Sequence, residues 1–179
     1  VVPPDTAVPP EAASAPVAEY DTVFVFFSGP PPGPGADAPL VARPRPVPDT
    51  VRGVGGAMAF AVRELLAGPE GSAADSVHSW FSDSTAGMLR DVVVVDGSVV
   101  VDFHDFRPII PNAASSAGAL MLLDQLRATV FQFPEAERVE LRIEGDCAAL
   151  MEWLQMECTV FRRSGYEPPR GFREVVTRP

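Results

Sequence analysis

The hydrophobic positions of this chain repeat with a period of two in some segments and of 3.6 in others, and these periods predict its elements. Short runs of β-branched and aromatic residues predict strands at Thr22–Ser28 and over residues 76–82. Residues 40–47 are also extended, but two prolines restrict them to an edge strand or an irregular strand. Apolar and charged residues alternate strictly at Arg138–Ile143, which predicts a half-buried strand.

Spacing of 3.6 residues predicts two amphipathic helices, over residues 50–67 and from residue 115 or 116 to residue 131. Asp49 or Thr50 is expected to cap the first helix, and Gly68 followed by Pro69 is expected to end it. One apolar stripe on each helix should face the core. These stripes are Met58, Ala61, Val62, Leu65 and Leu66 in the first helix, and Ala119, Leu122, Leu123, Leu126 and Val130 in the second.

The clearest local signal is the stretch RDVVVVDGSVVVDF at residues 90–103, which predicts a β-hairpin. Asp96 and Gly97 suit a type I′ turn because both residues tolerate positive φ. A two-residue turn also fixes which residues face each other across the strands. The expected partners are Val95 and Ser98, Val94 and Val99, Val93 and Val100, Val92 and Val101, and Asp91 and Asp102.

The order of these elements predicts an α/β (α+β) fold. We expect a two-layer sandwich in which a mixed sheet with a central β-hairpin carries two helices on one face. Residues 1–20 are rich in Pro and Ala and lack periodicity, so they are expected to form a tether. Residues 21–146 should form the domain. Residues 147–179 should add a Cys-flanked helical segment and a C-terminal tail that packs on the domain.

The formal charge of −10 argues against nucleic acid and anionic membrane surfaces as partners. All 14 basic residues are arginines, and they are scattered rather than gathered on one stripe. No window has the roughly 18 consecutive apolar residues of a membrane span. The chain begins with Val1 rather than Met, so we expect that residues upstream of Val1 can supply a lipoprotein or membrane anchor.

Cys147 and Cys158 are the only cysteines and lie eleven positions apart. A disulfide and a pair of buried thiols are both open, and we favour the disulfide. A straight helix between them would separate their Cα atoms by about 16 Å, whereas a disulfide tolerates about 7 Å. The disulfide therefore predicts a helix that breaks near Leu154, after which the chain turns back.

The best chemical constellation lies at the open end of the hairpin. Asp102 and His104 are two residues apart on one strand, and Asp91 is expected opposite Asp102, with Asp105 nearby. Three such ligands suit a metal ion, which would offset the repulsion between the carboxylates. The alternative, which we favour, is that the strands splay and the carboxylates are solvated, so that no metal, cofactor or catalytic residue is expected.

The remaining histidine, His78, is expected in a packed or half-exposed strand. Neither a G-x-S-x-G elbow nor an H-E-x-x-H helix accompanies it, which disfavours hydrolase chemistry.

Six motifs follow one another along the chain, namely VFVFF, LVARPRPV, LLAGP at residues 65–69, DVVVVDGSVVVDF, QFP at residues 132–134 and RVELRIEG at residues 138–145. In this order they resemble the GerMN domain family of sporulation and spore-germination proteins, which also occurs in bacterial envelope lipoproteins. The resemblance implies an extracytoplasmic, often membrane-tethered domain, with a fold similar to ring-building motifs and with no catalytic residues. The pattern departs from the family after Gly145.

We therefore expect a non-enzymatic domain for protein–protein assembly at the cell envelope, with an envelope protein or a second copy as partner. The alternatives are a module that binds a small ligand or cell-wall fragment and, behind it, a metal-dependent hydrolase. The hairpin valines are apolar on both faces. Either the Cys-flanked segment and the tail cover the second face, or a partner meets it.

Overall fold

The computed structural model describes residues 20–33, 38–71, 76–169 and 172. The tether predicted at residues 1–20 therefore lies outside the described residues, apart from Tyr20. No helix in the described part of the chain has both the length and the apolar character needed to cross a membrane. The strands are β1 (Thr22–Ser28), β2 (Leu40–Pro46), β3 (Leu89–Val95), β4 (Ser98–Phe103), β5 (Arg138–Ile143) and β6 (Phe161–Arg162), and the α-helices are α1 (Gly53–Ala67), α2 (Ser116–Phe131) and α3 (Cys147–Trp153).

The strands form two sheets. One sheet pairs β1 with β2, and the other has the order β3-β4-β5-β6. The second sheet is mixed, because β4 runs parallel to β5 while its other pairs are antiparallel. The predicted partners in the hairpin are confirmed residue by residue, and Asp96 and Gly97 both have positive φ, as the turn requires. The mixed α+β class predicted from the sequence is confirmed, with β1 and β2 in a sheet of their own.

The prolines of β2 fit because of the way β1 presents its backbone. Phe24 lies opposite Pro44, and its N–H and C=O both bond to the side chain of Gln132 on α2. The backbone of Phe24 therefore points away from β2, so the missing N–H of Pro44 breaks no ladder bond.

A single hydrophobic core joins both sheets to the three helices. Val23, Val25 and Phe27 of β1 reach this core from one sheet, and Val99 and Val101 of β4 reach it from the other. The predicted stripes of both long helices are buried in it. This core fixes the hairpin, because one face of β3 and β4 packs against it.

Two local predictions are wrong. Helix α1 begins at Gly53 rather than near residue 50, and Arg52 precedes it without a side-chain cap. The Val51 N–H bonds to the Pro48 carbonyl, so Asp49 and Thr50 are used in a turn before the helix. Residues 76–82 form no strand. They contribute a bridge between His78 and Ser28, because the chain passes β1 for only one residue pair.

The predicted disulfide and broken helix are confirmed. Cys147 and Cys158 are bonded, with their Cα atoms 5.5 Å apart. Helix α3 begins after Asp146, whose carboxylate accepts a hydrogen bond from the Ala148 N–H. After Trp153 the helix ends, and Gln155 takes a positive φ of 62°, which turns the chain back towards Cys147.

Candidate interaction surface on the hairpin

The outer face of the hairpin carries apolar side chains that the core does not cover. Side chains alternate along a strand, so Val92 and Val94 pack towards the core, while Val93 and Val95 point away from it. Val93 is 45% exposed and Val95 is 59% exposed. Val100 lies opposite Val93 and adds to the same face. We call this group, Val93, Val95 and Val100, the valine face.

Strand β5 continues this outer face with charged residues. Arg138 lies beside Ser98 and donates to its hydroxyl at 3.0 Å. Glu140 lies beside Val100, and Arg142 donates to the Glu140 carboxylate at 2.6 Å. This hydrogen bond raises the pKa of the Arg142 guanidinium. The valine face therefore has a polar border on the β5 side.

The Cys-flanked segment covers the outer face of the sheet at β5 and leaves the outer face of β3 open. A carboxylate oxygen of Glu140 and the two sulfurs of Cys147 and Cys158 all lie within 4.8 Å of one another. In the tail, Phe172 packs edge-on against Phe24 and Phe26 of the other sheet, with ring centroids 5.1 and 5.0 Å apart. Neither segment buries Val93 or Val95.

A β-bulge at the start of β3 decides the electrostatics at the open end of the hairpin. The register shifts between Leu89 and Asp91, so Arg90 is the extra residue. Its guanidinium reaches Asp102, with Nη1 2.7 Å from Oδ2. The other oxygen of Asp102 accepts a hydrogen bond from the Gly145 N–H at 2.8 Å. Asp102, which the fold nearly buries, thus has a cation and a backbone donor within the chain.

The other two candidate metal ligands also have separate partners. His104 Nδ1 lies 3.1 Å from Glu144 Oε1, and Glu144 Oε2 is 3.9 Å from Arg90 Nε. Asp91 accepts a hydrogen bond from the Val92 N–H. The structure therefore does not bring Asp91, Asp102 and His104 together around one point. The expectation that the strands splay here and leave both carboxylates solvated is wrong for Asp102, which is nearly buried and paired with Arg90.

Neighbouring Asp105 is held by a different arginine. Arg107 Nε and Nη2 each donate to its carboxylate at 2.8 Å. This paired hydrogen bond lowers the pKa of Asp105. Arg107 also donates to the Ala149 carbonyl, which ties the loop after β4 to α3.

Among the described residues, one group of potential metal ligands converges within 4.8 Å, namely Glu140, Cys147 and Cys158. Its two sulfurs are bonded to each other in the disulfide, so they are not available as thiolate ligands. His78 lies apart from this group, with its side chain exposed and its backbone bonded to Ser28.

Two buried glutamines were not predicted from the sequence, Gln125 in α2 and Gln132 at its C-terminal end. Gln125 donates to the His78 carbonyl at 2.9 Å and to the Ser28 hydroxyl at 3.1 Å, beside the bonds of Gln132 to β1. Both side chains are almost fully buried. Their spacing of seven residues places them on one helix face, and this is the signal that could have identified them.

Solved structures with a similar fold include proteins from two bacteria. One similar structure is described as the tandem GerMN domains of the sporulation protein GerM from Bacillus subtilis, with a TM-score of 0.50 and 14% identity. The match covers 76% of this chain and 43% of that chain, so this chain spans less than half of its length. A second is a Clostridium perfringens protein provisionally assigned as a lipoprotein, with a TM-score of 0.48 and 11% identity, covering 80% of this chain and 87% of that chain.

No curated protein matches the chain. A family model does, over more than half of its length, and the matched part runs from within β1 to the first residue of α3, so that it includes both long helices, the hairpin and β5. The chain belongs to the Germane family, described as sporulation and spore germination, whose model matches residues 25–147.

Proposed function

We propose that this domain is a non-enzymatic assembly module of the bacterial cell envelope, and that the valine face is where its protein partner binds. The observation that carries the proposal is the exposure of Val93 and Val95 side by side on β3. Strand β3 is also the edge of its sheet, so a partner can reach both the face and the strand edge. Adjacent exposed apolar residues with a polar border are typical of protein interaction surfaces.

The disulfide supports a location outside the cytoplasm. Structural disulfides persist in oxidising compartments and are rare where thiols are kept reduced. Cys147 and Cys158 are bonded in this fold, and Cys158 is exposed to any reductant. We include in the proposal a membrane anchor that precedes the domain, and a role in sporulation or germination in keeping with the family.

The electrostatics at the open end of the hairpin support a non-enzymatic role. Asp102 is paired with Arg90 and accepts a hydrogen bond from the Gly145 N–H, and Asp91 and His104 face other partners. A metal-dependent hydrolase would need these ligands free and convergent. The geometry therefore favours assembly over the hydrolase alternative.

Site-specific photo-crosslinking in the native host tests the proposal. A photoreactive amino acid replaces Val95, and a control replaces Leu120, which is 63% exposed on α2. We expect discrete crosslinked protein products from position 95 and none of the same mass from position 120. Equal products from both positions, or none from position 95, would contradict the valine face as a binding surface. Light scattering of the purified chain over a range of concentrations then separates a second copy from a different protein.

A further inference from the structure

A cavity beside the C-terminal end of α2 has no role in the assembly proposal. It lies between the C-terminal end of α2 and the segment that follows β6, and its volume is about 230 Å³. Aromatic rings, a proline and one arginine line it, which is a mixture typical of small-molecule sites. The residues that matter are Ala128, Phe131, Arg163, Tyr166, Pro168 and Phe172.

The rings that line the cavity are fixed by neighbouring contacts. Phe131 and Tyr166 stack with centroids 5.0 Å apart and planes at 30°. Phe172 is held edge-on against Phe24 and Phe26 of β1. Burial raises the pKa of Tyr166 to about 12, so its phenol stays neutral at ordinary pH. The walls therefore present preformed aromatic surface to a ligand.

Arg163 brings a positive charge to the cavity. Its Nε donates to the Ala136 carbonyl at 2.9 Å, its Nη2 donates to the Phe133 carbonyl, and its guanidinium carbon lies 5.4 Å from the centre of the Phe131 ring. A guanidinium has five N–H groups, and the described residues supply acceptors for two of them. No carboxylate in the described part of the chain forms an ion pair with Arg163.

We propose that this cavity binds a planar aromatic ring that carries a short carboxylate arm. A cavity of about 150 Å³ holds a benzene molecule, so this one has room for a ring and the few further atoms of the arm. The ring would lie among Phe131, Tyr166 and Phe172. The carboxylate would accept hydrogen bonds from the N–H groups of Arg163 that the described residues leave without an acceptor. Such charged hydrogen bonds are stronger than those between neutral groups. A free arylalkanoic acid and the C-terminal aromatic residue of a peptide share this chemistry.

Nuclear magnetic resonance of the full ¹⁵N-labelled chain tests the proposal with three probes. They are 3-phenylpropionate, its neutral amide, and N-acetyl-glycyl-phenylalanine. We expect 3-phenylpropionate to shift the amide resonances of Arg163, Tyr166 and Phe172, with a Kd of about a millimolar for a ligand of this size. The amide should bind about tenfold more weakly. If the peptide binds more tightly than 3-phenylpropionate, the ligand class is a peptide with a C-terminal aromatic residue. If 3-phenylpropionate binds more tightly than the peptide, the ligand class is a free arylalkanoic acid.

Two substitutions distinguish the effect of the Arg163 charge on binding from an effect on folding. Arg163→Gln should bring the affinities for acid and amide to near equality, and Arg162→Gln, which changes the exposed neighbour, should leave the preference for the acid intact. If Arg163→Gln does not fold, the comparison of acid with amide on the unmodified chain still decides. Equal binding of the two, shifts confined to residues outside the cavity, or no shifts at the solubility limit would each overturn the proposal. None of these results bears on the valine face.

Discussion

The side-chain amide of Gln132 bonds both backbone groups of Phe24. Its Oε1 accepts from the Phe24 N–H and its Nε2 donates to the Phe24 carbonyl, each at 2.7 Å. One side chain thereby takes the place that a neighbouring strand would occupy at the free edge of β1. Covering an edge in this way removes a row of unpaired backbone groups that would otherwise invite another strand.

We expect Gln132→Met to lower the free energy of unfolding by about 2–4 kcal/mol, because methionine has similar length but leaves both Phe24 groups buried without partners. Urea denaturation monitored by circular dichroism measures the change. Gln155→Met is the matched control, since Gln155 is exposed and makes a single hydrogen bond to Ala114. The control should cost less than about 0.5 kcal/mol. Equal effects of the two substitutions would show that the edge bonds of Gln132 contribute little.

The Arg90–Asp102 pair gives a second prediction. Removing the arginine leaves a carboxylate that is almost buried, with the Gly145 N–H as its hydrogen-bond donor and Arg142 beside it on β5. We expect Arg90→Gln to lower the free energy of unfolding by about 1–3 kcal/mol. Arg52→Gln serves as control, because Arg52 is exposed and, among the described residues, its side chain donates to the neighbouring Val51 carbonyl alone. A loss no larger than that of the control would mean that the pair is in effect solvated.

Local pattern was sufficient to predict most of the elements and the hairpin register. The two-residue turn of the hairpin fixes the partner of each strand residue as far as Asp91. The period of 3.6 residues identifies the buried faces of α1 and α2. The predicted disulfide also predicted that the helix ends after α3, because the Cα atoms of two bonded cysteines cannot lie more than about 7 Å apart. In each case the decisive interaction joins residues that lie no more than eleven positions apart along the chain.

The unpredicted features depend on contacts between distant residues. Arg90 was not recognised as the partner of Asp102, because a bulge of one residue has no reliable pattern in sequence. Gln132 bonds to a strand 108 positions away. Arg163 and Phe131 are in contact at the cavity. No motif in their two sequence segments indicates this contact. Such pairs depend on tertiary packing, so the sequence pointed to the hairpin end and not to the cavity.

Gly68 illustrates how the end of α1 depends on close packing. Its φ is +82°, and a Cβ atom there would lie 2.5 Å from the Phe81 carbonyl oxygen. Gly71 also has positive φ, at +58°, but no described residue comes within 4 Å of a Cβ atom placed there. We expect Gly68→Ala to destabilise the protein by at least about 2 kcal/mol more than Gly71→Ala, because only the first adds a clash to the backbone strain. Thermal unfolding of the two variants measures the difference, and similar midpoints would contradict the clash.

The disulfide should contribute to stability mainly by restricting the unfolded chain. A cross-link over a sequence separation of 11 residues is worth about 3 kcal/mol by loop-closure entropy. We expect a reductant to lower the urea midpoint of the native protein. The double variant Cys147→Ala/Cys158→Ser should show the lower midpoint with or without reductant. Counting thiols in protein purified without reductant should find none, and two free thiols would undermine the proposed location outside the cytoplasm.

Tyr20 and Tyr166 should make this protein lose stability at alkaline pH. Burial is the main reason that the pKa of each phenol is raised, and in Tyr20 a hydrogen bond to Glu135 adds to the effect. An unfolded tyrosine ionises near pH 10, whereas folded Tyr166 ionises near pH 12. Between these values the unfolded state has released protons that the folded state still holds. Raising the pH therefore favours unfolding, and the stabilisation is complete only below about pH 10.

The alkaline loss of stability can be assigned to the tyrosines, because the chain contains no lysine and its two cysteines are bonded, so neither side chain titrates in this range. The free energy of unfolding, measured in urea at intervals between about pH 9 and pH 12, should fall as the pH rises. Tyr166→Phe should flatten this slope, and adding Tyr20→Phe should flatten it further. If the free energy of unfolding falls as steeply with pH in Tyr166→Phe as in the unmodified chain, the Tyr166 phenol titrates alike in the folded and unfolded states. Tyr166 would then be solvated rather than buried beside Phe131.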